Sequence, residues 1–139
     1  MIDLNRFIKS RSIKTEGKME QGKLGVVESK FADIVWNNAP INSGELVKLC
    51  DKQLKWKKST TYTVLKKMCD RGLFVNNEGV VEVIVEKDEY LALQSERIVD
   101  SDFNGSLPAF IAAFTSRKAL SDAEIAEIKA LIDSYNEEK

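Results

Sequence analysis

Between Trp56 and Gly72 the chain reads WKKSTTYTVLKKMCDRG, with four lysines, one arginine and five hydroxyl side chains against a single acid. That inventory suits recognition of a polyanion. Lysine ammonium groups offer point charges to phosphate oxygens, and Ser, Thr and Tyr hydroxyls donate to or accept from base edges. On helical spacing Thr61, Leu65 and Met68 fall one turn apart, with Val64 and Cys69 flanking them. Ser59, Thr60, Tyr62, Thr63, Lys66 and Lys67 are then left on the opposite arc. One face is core; the other carries cations and hydroxyls. An ordinary solvated helix would show the same pattern, so the flanking chain has to decide between the two.

Other chemistries find little support. The chain has no histidine, no phosphate-cradling glycine loop and no paired carboxylates in a plausible cleft, so no catalytic residue is nominated and no cofactor is expected. Cys50 and Cys69 sit among apolar residues on expected helices, with no CxxC spacing. They read as free buried thiols rather than as a disulfide or a metal pair.

At 139 residues, with 43% hydrophobic and 31% charged, the chain can form one compact core, or a small domain with an appendage. Apolar runs such as Val80–Val85 are interrupted by charge and far shorter than the ~20 residues that span a bilayer, so no membrane association is expected. The N-terminus lacks the apolar stretch and cleavage site of a secretory signal, from which a cytoplasmic location is expected. The formal net charge of −1 conceals a division: residues 1–75 hold 15 Lys and Arg against 8 Asp and Glu, a net +7, and residues 76–139 hold 6 against 14, a net −8. Such asymmetry points to a basic half facing an anionic partner. Lys48 to Arg71 alone carries a net +6, from eight cations and two acids, so the density coincides with the two-faced helix.

The elements that must position this helix can be read in order. Residues 1–22 form a basic N-terminal arm or extension carrying Arg6, Lys9, Arg11, Lys14 and Lys18. A domain over residues 23–86 follows. Its first helix is expected from Leu24 to Asn37, with Val27, Phe31, Ile34 and Val35 facing inward, and Pro40 prevents its continuation. A second helix starts at Ser43 behind an Asn42 cap, with Glu45 placed to complete a capping box and Leu46, Leu49 and Cys50 inside. The third begins at Lys58 or Ser59 and closes at Gly72 in the left-handed cap position. Two β-rich runs, Leu73–Val75 and Val80–Val85, flank a hairpin turn at Asn76-Asn77-Glu78-Gly79. Helix, helix, basic helix and hairpin is the order of a winged helix-turn-helix domain, whose third helix enters the major groove of DNA.

Residues 87–139 read as helical again. Asp88 is expected to cap one helix, which Phe103-Asn104-Gly105 breaks; Ser106 caps a second, and Ser121 with Glu124 makes a capping box for a third. Leu107, Phe110, Ile111 and Phe114 form one apolar stripe, and Ile125, Ile128, Leu131 and Ile132 form another, continued by Tyr135. Three short helices have too little chain to cover these stripes themselves. A homodimer interface is expected there, in preference to packing on the first domain.

With those residues identified, the chain resembles the penicillinase repressor family of bacterial transcription regulators from about Leu24 to Ile132. The resemblance rests on Glu28–Trp36 (ESKFADIVW), on Pro40-Ile41 with Glu45, and on Trp56 followed by Thr60, Thr63, Leu65, Lys67, Met68 and Gly72-Leu73. Glu89-Tyr90-Leu91, Gly105-Ser106-Leu107 and Leu120-Ser121 with Glu124-Ile125 continue it. It implies a mainly α fold with a small β-hairpin, a winged helix-turn-helix domain followed by a C-terminal helical dimerisation region, and repression by a homodimer bound to a pseudo-palindromic double-stranded DNA operator. The family's recognition helix falls on Ser59–Asp70; Thr60 and Thr63 match its recurrent threonines, Tyr62 stands where Gln, Arg or Lys is frequent, and Lys67 replaces a frequent Arg. Lys cannot reproduce the bidentate fork of Arg, which favours phosphate over base for Lys67. Around the wing turn, where many relatives are basic, this chain has Asn76, Asn77, Glu78 and Glu82. Relatives induced by proteolysis are cut at an Asn-Phe bond; the corresponding step here reads Asp102-Phe103-Asn104, and the tail DSYNEEK lacks the cysteine cluster of copper-responsive relatives. A sensor or protease partner for induction is left open.

The expected DNA-binding set is therefore Lys57, Lys58, Lys66 and Lys67 at phosphates, with Ser59, Thr60, Tyr62 and Thr63 nearest the bases. The alternative is a winged-helix protein-interaction module that does not bind DNA.

Overall fold

The computed structural model of the protein describes residues 23–137. The basic arm expected over residues 1–22 lies outside the described residues. Six helices and three short strands follow in the order α1 (Val26–Asn38), β1 (Ile41–Asn42), α2 (Ser43–Leu54), α3 (Lys58–Asp70), β2 (Phe74–Asn77), β3 (Val80–Val83), α4 (Lys87–Asp102), α5 (Leu107–Arg117) and α6 (Asp122–Glu137). The fold is a winged helix followed by a helical C-terminal region, the class expected from the sequence. The chain divides between Gln94 and Ser95 into two compact units. Among the described residues no helix is long and apolar enough to cross a membrane.

In the first unit α1 opens behind Gly25, whose N–H donates to Glu28 Oε1 at 3.1 Å, and closes where Ala39 N–H returns to the Val35 carbonyl ahead of Pro40. Its inner face is Phe31, Ala32, Ile34 and Val35. Val27, expected inside, is 55% exposed, and Leu24 is buried in its stead. Because the helix starts only at Val26, Val27 stands on its first turn, outside the core, while Leu24 is held inward by its N–H bond to the Tyr90 hydroxyl at 2.8 Å.

Asn42 caps α2 by accepting the Gly44 N–H at 2.8 Å. The expected capping box is not completed: the Glu45 carboxylate turns to Lys48, 3.5 Å away. Lys55 ends α2 in the left-handed region at φ 61°. Leu46 and Cys50 from α2 meet Thr61, Leu65 and Met68 from α3 in one core with Phe31, Leu73, Phe74, Val81 and Val85. The Phe31 and Trp56 rings stack at 5.7 Å. Trp36 meets Phe74 edge-on at 5.8 Å and donates its indole N–H to the Val85 carbonyl at 2.9 Å. Each such buried apolar side chain stabilises the fold by about 1.5–3 kcal/mol before its conformational entropy is subtracted.

Gly72, at φ 86°, turns the chain out of α3 into the wing. Strands β2 and β3 pair antiparallel from Phe74↔Val83 to Asn77↔Val80, so Asn76 and Asn77 belong to the strand and the connection is only Glu78-Gly79. Both of its residues have positive φ, 51° and 92°, the mark of a type I′ hairpin turn. β1 adds a third strand through Ile41↔Val81 and Asn42↔Val80, giving the order β1-β3-β2. Two residues are too few to show an alternating pattern, and the sequence reading contained no β1.

α4 begins at Lys87, with Tyr90 N–H bonded to the Glu86 carbonyl, so Asp88 lies inside the first turn rather than capping it. There its charge still opposes the positive end of the helix dipole. Tyr90 and Leu93 belong to the core of the first unit.

In the second unit Asn104 and Gly105 take positive φ and separate α4 from α5. Ser106 Oγ accepts the Ala109 N–H at 3.1 Å. The Ser121–Glu124 capping box is complete, with Ser121 N–H to Glu124 Oε1 at 2.9 Å and Glu124 N–H to Ser121 Oγ at 3.1 Å. Phe103 meets Phe110 edge-on at 5.5 Å.

Candidate nucleic-acid interface

α3 presents the two faces its spacing implies. Thr61, Leu65 and Met68 are buried, whereas Lys57, Lys58, Ser59, Thr60, Thr63, Lys66 and Lys67 are exposed and Tyr62 is half-buried. The interior face fixes the rotation of the helix about its axis; a polar-to-core rotation would expose three buried side chains at once. Its N-terminal turn holds no acid, and its N-cap Lys57 makes no side-chain cap bond. The first-turn N–H groups and the Lys57 and Lys58 ammonium groups together favour an anion at that end.

The hydroxyls are already oriented. Thr63 Oγ1 donates to the Ser59 carbonyl at 2.9 Å and Thr61 Oγ1 to that of Lys57 at 3.3 Å. Thr63 therefore turns lone pairs, not its proton, to solvent, while among the described residues no such bond holds Thr60. The Tyr62 hydroxyl lies 3.0 Å from Ser43 Oγ at the start of α2. That contact sets Tyr62 apart from the residues expected nearest the bases, because its polar end is engaged within the protein.

The lysines divide in the same way. Lys66 Nζ is 3.2 Å from Asp70 Oδ2 in a pair exposed on both sides, which solvent and salt weaken readily. Lys67 Nζ is 2.6 Å from Glu28 Oε2 on α1, and the same carboxylate lies 3.7 Å from Arg71 NH1. The Lys67 hydrogen bond first, and the Gly25 N–H second, hold the Glu28 carboxyl below its ordinary value against the opposing effect of partial burial. Burial raises the thiols of Cys50 and Cys69, the latter also through Asp70. Both cysteines are free.

Glu28, Arg71 and Ser43 did not figure among the expected site residues, although all three touch the site. Glu28 carried a legible signal: it falls on the stripe Glu28, Phe31, Val35, one and two turns ahead of buried apolar residues. A carboxylate on a core-facing stripe requires a cation or hydrogen-bond donors. Which cation answers it depends on how α1 crosses α3, and that is not written in either segment alone.

At the wing, Asn76, Asn77, Glu78 and Glu82 are exposed, and no Lys or Arg lies between Leu73 and Glu86. Among the described residues no group of three or more His, Cys, Asp or Glu side chains converges as a metal site.

Comparison with known proteins bears on this geometry. The family model described as penicillinase repressor matches residues 24–134. The chain is also 25% identical over 116 residues to the penicillinase repressor of Bacillus licheniformis, a match covering 81% of this chain and 91% of that protein.

Proposed function

This chain belongs to the penicillinase repressor family of transcriptional repressors, and on that premise we propose that it binds a pseudo-palindromic DNA operator as a homodimer, with α3 of each copy in a major groove. The observation that carries the reading is the solvent-open cation and hydroxyl face of α3, fixed by the burial of Thr61, Leu65 and Met68 on the other side. Lys57, Lys58 and Lys66 supply charge to phosphates, and Ser59, Thr60 and Thr63 lie nearest the bases. The wing, bearing Glu78 and Glu82, adds no cation, so α3 and the lysines before it make most of the contact.

Support for a second copy comes from residues 95–137 themselves. Leu107, Ile111, Phe114, Ile125, Leu131 and Ile132 are exposed, and Phe110 and Ile128 are half-buried. An apolar surface of this kind marks an association site. Two copies related by a twofold axis would place their half-sites about one DNA turn, or a multiple of it, apart.

A selected-site experiment followed by footprinting on the purified chain tests the proposal. The expected product is a two-part site with that spacing, and affinity falling with salt by a log–log slope of about −0.9 per phosphate engaged. Failure to enrich any sequence, with no salt-dependent binding, would overturn it.

A further inference from the structure

Glu28 joins three groups. Its Oε1 accepts the Gly25 N–H at 3.1 Å, which fixes the carboxylate against the first turn of its own helix. Oε2 lies 2.6 Å from Lys67 Nζ, and Oε1 lies 3.7 Å from Arg71 NH1. Lys67 and Arg71 are four residues apart, so the carboxylate grips α3 and the residue that caps it on one face over a full helical turn. The Glu28 side chain is only 20% exposed and that of Arg71 only 9%. The carboxylate and guanidinium of this junction are therefore shielded from solvent, while the Lys67 side chain is still 62% exposed; in the Lys66–Asp70 pair both partners are open, at 79% and 64%.

The position of the junction matters for reading DNA. Recognition helices contact base edges through their N-terminal residues. Lys67 lies nine residues beyond Lys58, about 13 Å along the helix axis at ~1.5 Å per residue. A grip at that end governs the angle at which the opposite end approaches the groove. Both lysines would have to give up a carboxylate to serve a phosphate, but Lys66 holds a 64% exposed Asp70 at 3.2 Å, whereas Lys67 holds a 20% exposed Glu28 at 2.6 Å, the harder bond to exchange.

We propose that Glu28 is the positioning residue of the recognition helix, acting through Lys67 and Arg71, and that Lys67 belongs to this internal clamp rather than to the phosphate contacts. The assignment rests on the reading of α3 as the DNA-contacting helix. It separates the two lysines that the sequence placed side by side: Lys66 reaches outward to the nucleic acid, and Lys67 reaches back to α1.

The test compares the unaltered chain with Glu28→Gln and Lys67→Gln on its selected operator and on unrelated duplex DNA across a salt series. Glu28→Gln keeps the side-chain shape and an oxygen for the Gly25 N–H while removing the charge. It is expected to lose about tenfold in operator affinity, the size of one impaired base contact. Its affinity for unrelated DNA and its salt slope should not fall, because no phosphate contact is removed. Lys67→Gln is expected to keep the parent slope. The assignment is overturned if Lys67→Gln lowers the slope by about one, the signature of a lost phosphate contact. It is equally overturned if Glu28→Gln binds the operator as well as or better than the parent. Should Glu28→Gln fail to fold, the slope of Lys67→Gln decides, since that side chain is 62% exposed and its replacement leaves the core intact. An unaltered chain that selects no DNA sequence removes the underlying reading, and this assignment with it; the variants speak only to the clamp.

Discussion

The hydroxyl oxygens of Tyr62 and Ser43 lie 3.0 Å apart, and the Ser43 N–H donates to the Gly79 carbonyl at 2.7 Å. One residue at the start of α2 thus touches α3 through its side chain and the wing turn through its backbone. Removing the phenol hydroxyl in Tyr62→Phe should cost about 0.5–1.5 kcal/mol, the usual net value of one such bond. In a double-mutant cycle with Ser43→Ala, measured by denaturant unfolding, the second substitution should then cost markedly less than it does alone. Strict additivity would show that the two hydroxyls do not depend on each other.

The two faces of α3 should separate stability from binding. Met68 has no exposed surface, and Met68→Ala should destabilise by about 2–5 kcal/mol, read from the denaturation midpoint. Lys66→Ala removes only an exposed pair with Asp70 and should shift stability by less than about 0.5 kcal/mol. On operator DNA the same variant should lower the salt slope by about one. A Lys66→Ala variant with the parent slope would remove this lysine from the contact set.

Glu28 predicts a particular response to acid. Its carboxyl is held below the ordinary value of 4.5, chiefly by Lys67. A depressed carboxyl stabilises the fold fully above the unfolded-state value, and that contribution disappears as pH falls through the lower, folded-state value. The stability gap between the parent and Glu28→Gln should therefore be constant near neutrality and narrow below pH 4.5. Urea unfolding at a series of pH values measures it; a gap that widens in acid has the wrong sign for this arrangement.

Association can be examined without DNA. Leu131 is 70% and Ile132 55% exposed, so Asp at both positions should leave the single copy folded while preventing pairing. Sedimentation should give a dimer for the parent and a monomer for the doubly substituted chain. A dimer that persists would place the interface on other residues.

How much of this could be read from the sequence depends on the distance over which each feature is determined. The Asn42 cap, the Ser121–Glu124 box, the Gly72 exit and the buried Thr61, Leu65 and Met68 are set by neighbours within one or two turns, and each was legible. Val27 was misplaced because its apolar character fits the stripe, whereas its exposure depends on where α1 begins. Glu45 and Asp88 satisfied the composition of a cap, but Glu45 faces a lysine one turn away and the helix starts at Lys87, two residues earlier than a cap at Asp88 requires. β1 exists only because Ile41 and Asn42 find Val81 and Val80, some forty residues further on. Lys66 and Lys67 are indistinguishable by type and spacing; their separation lies 39 residues upstream of Lys67, at Glu28.

The short strand β1 also bears on the company this protein keeps. By occupying one side of β3, it leaves the sheet bounded by a two-residue strand on one flank and by the four-residue β2 on the other. Unpaired strand edges are templates on which other chains add and aggregate, and edges this brief offer few backbone donors and acceptors in register. Edge-to-edge addition of further strands is thereby discouraged, so that an association of the kind proposed above would have to be made by side chains, whose shape and chemistry can be selective in a way that a bare row of amides cannot.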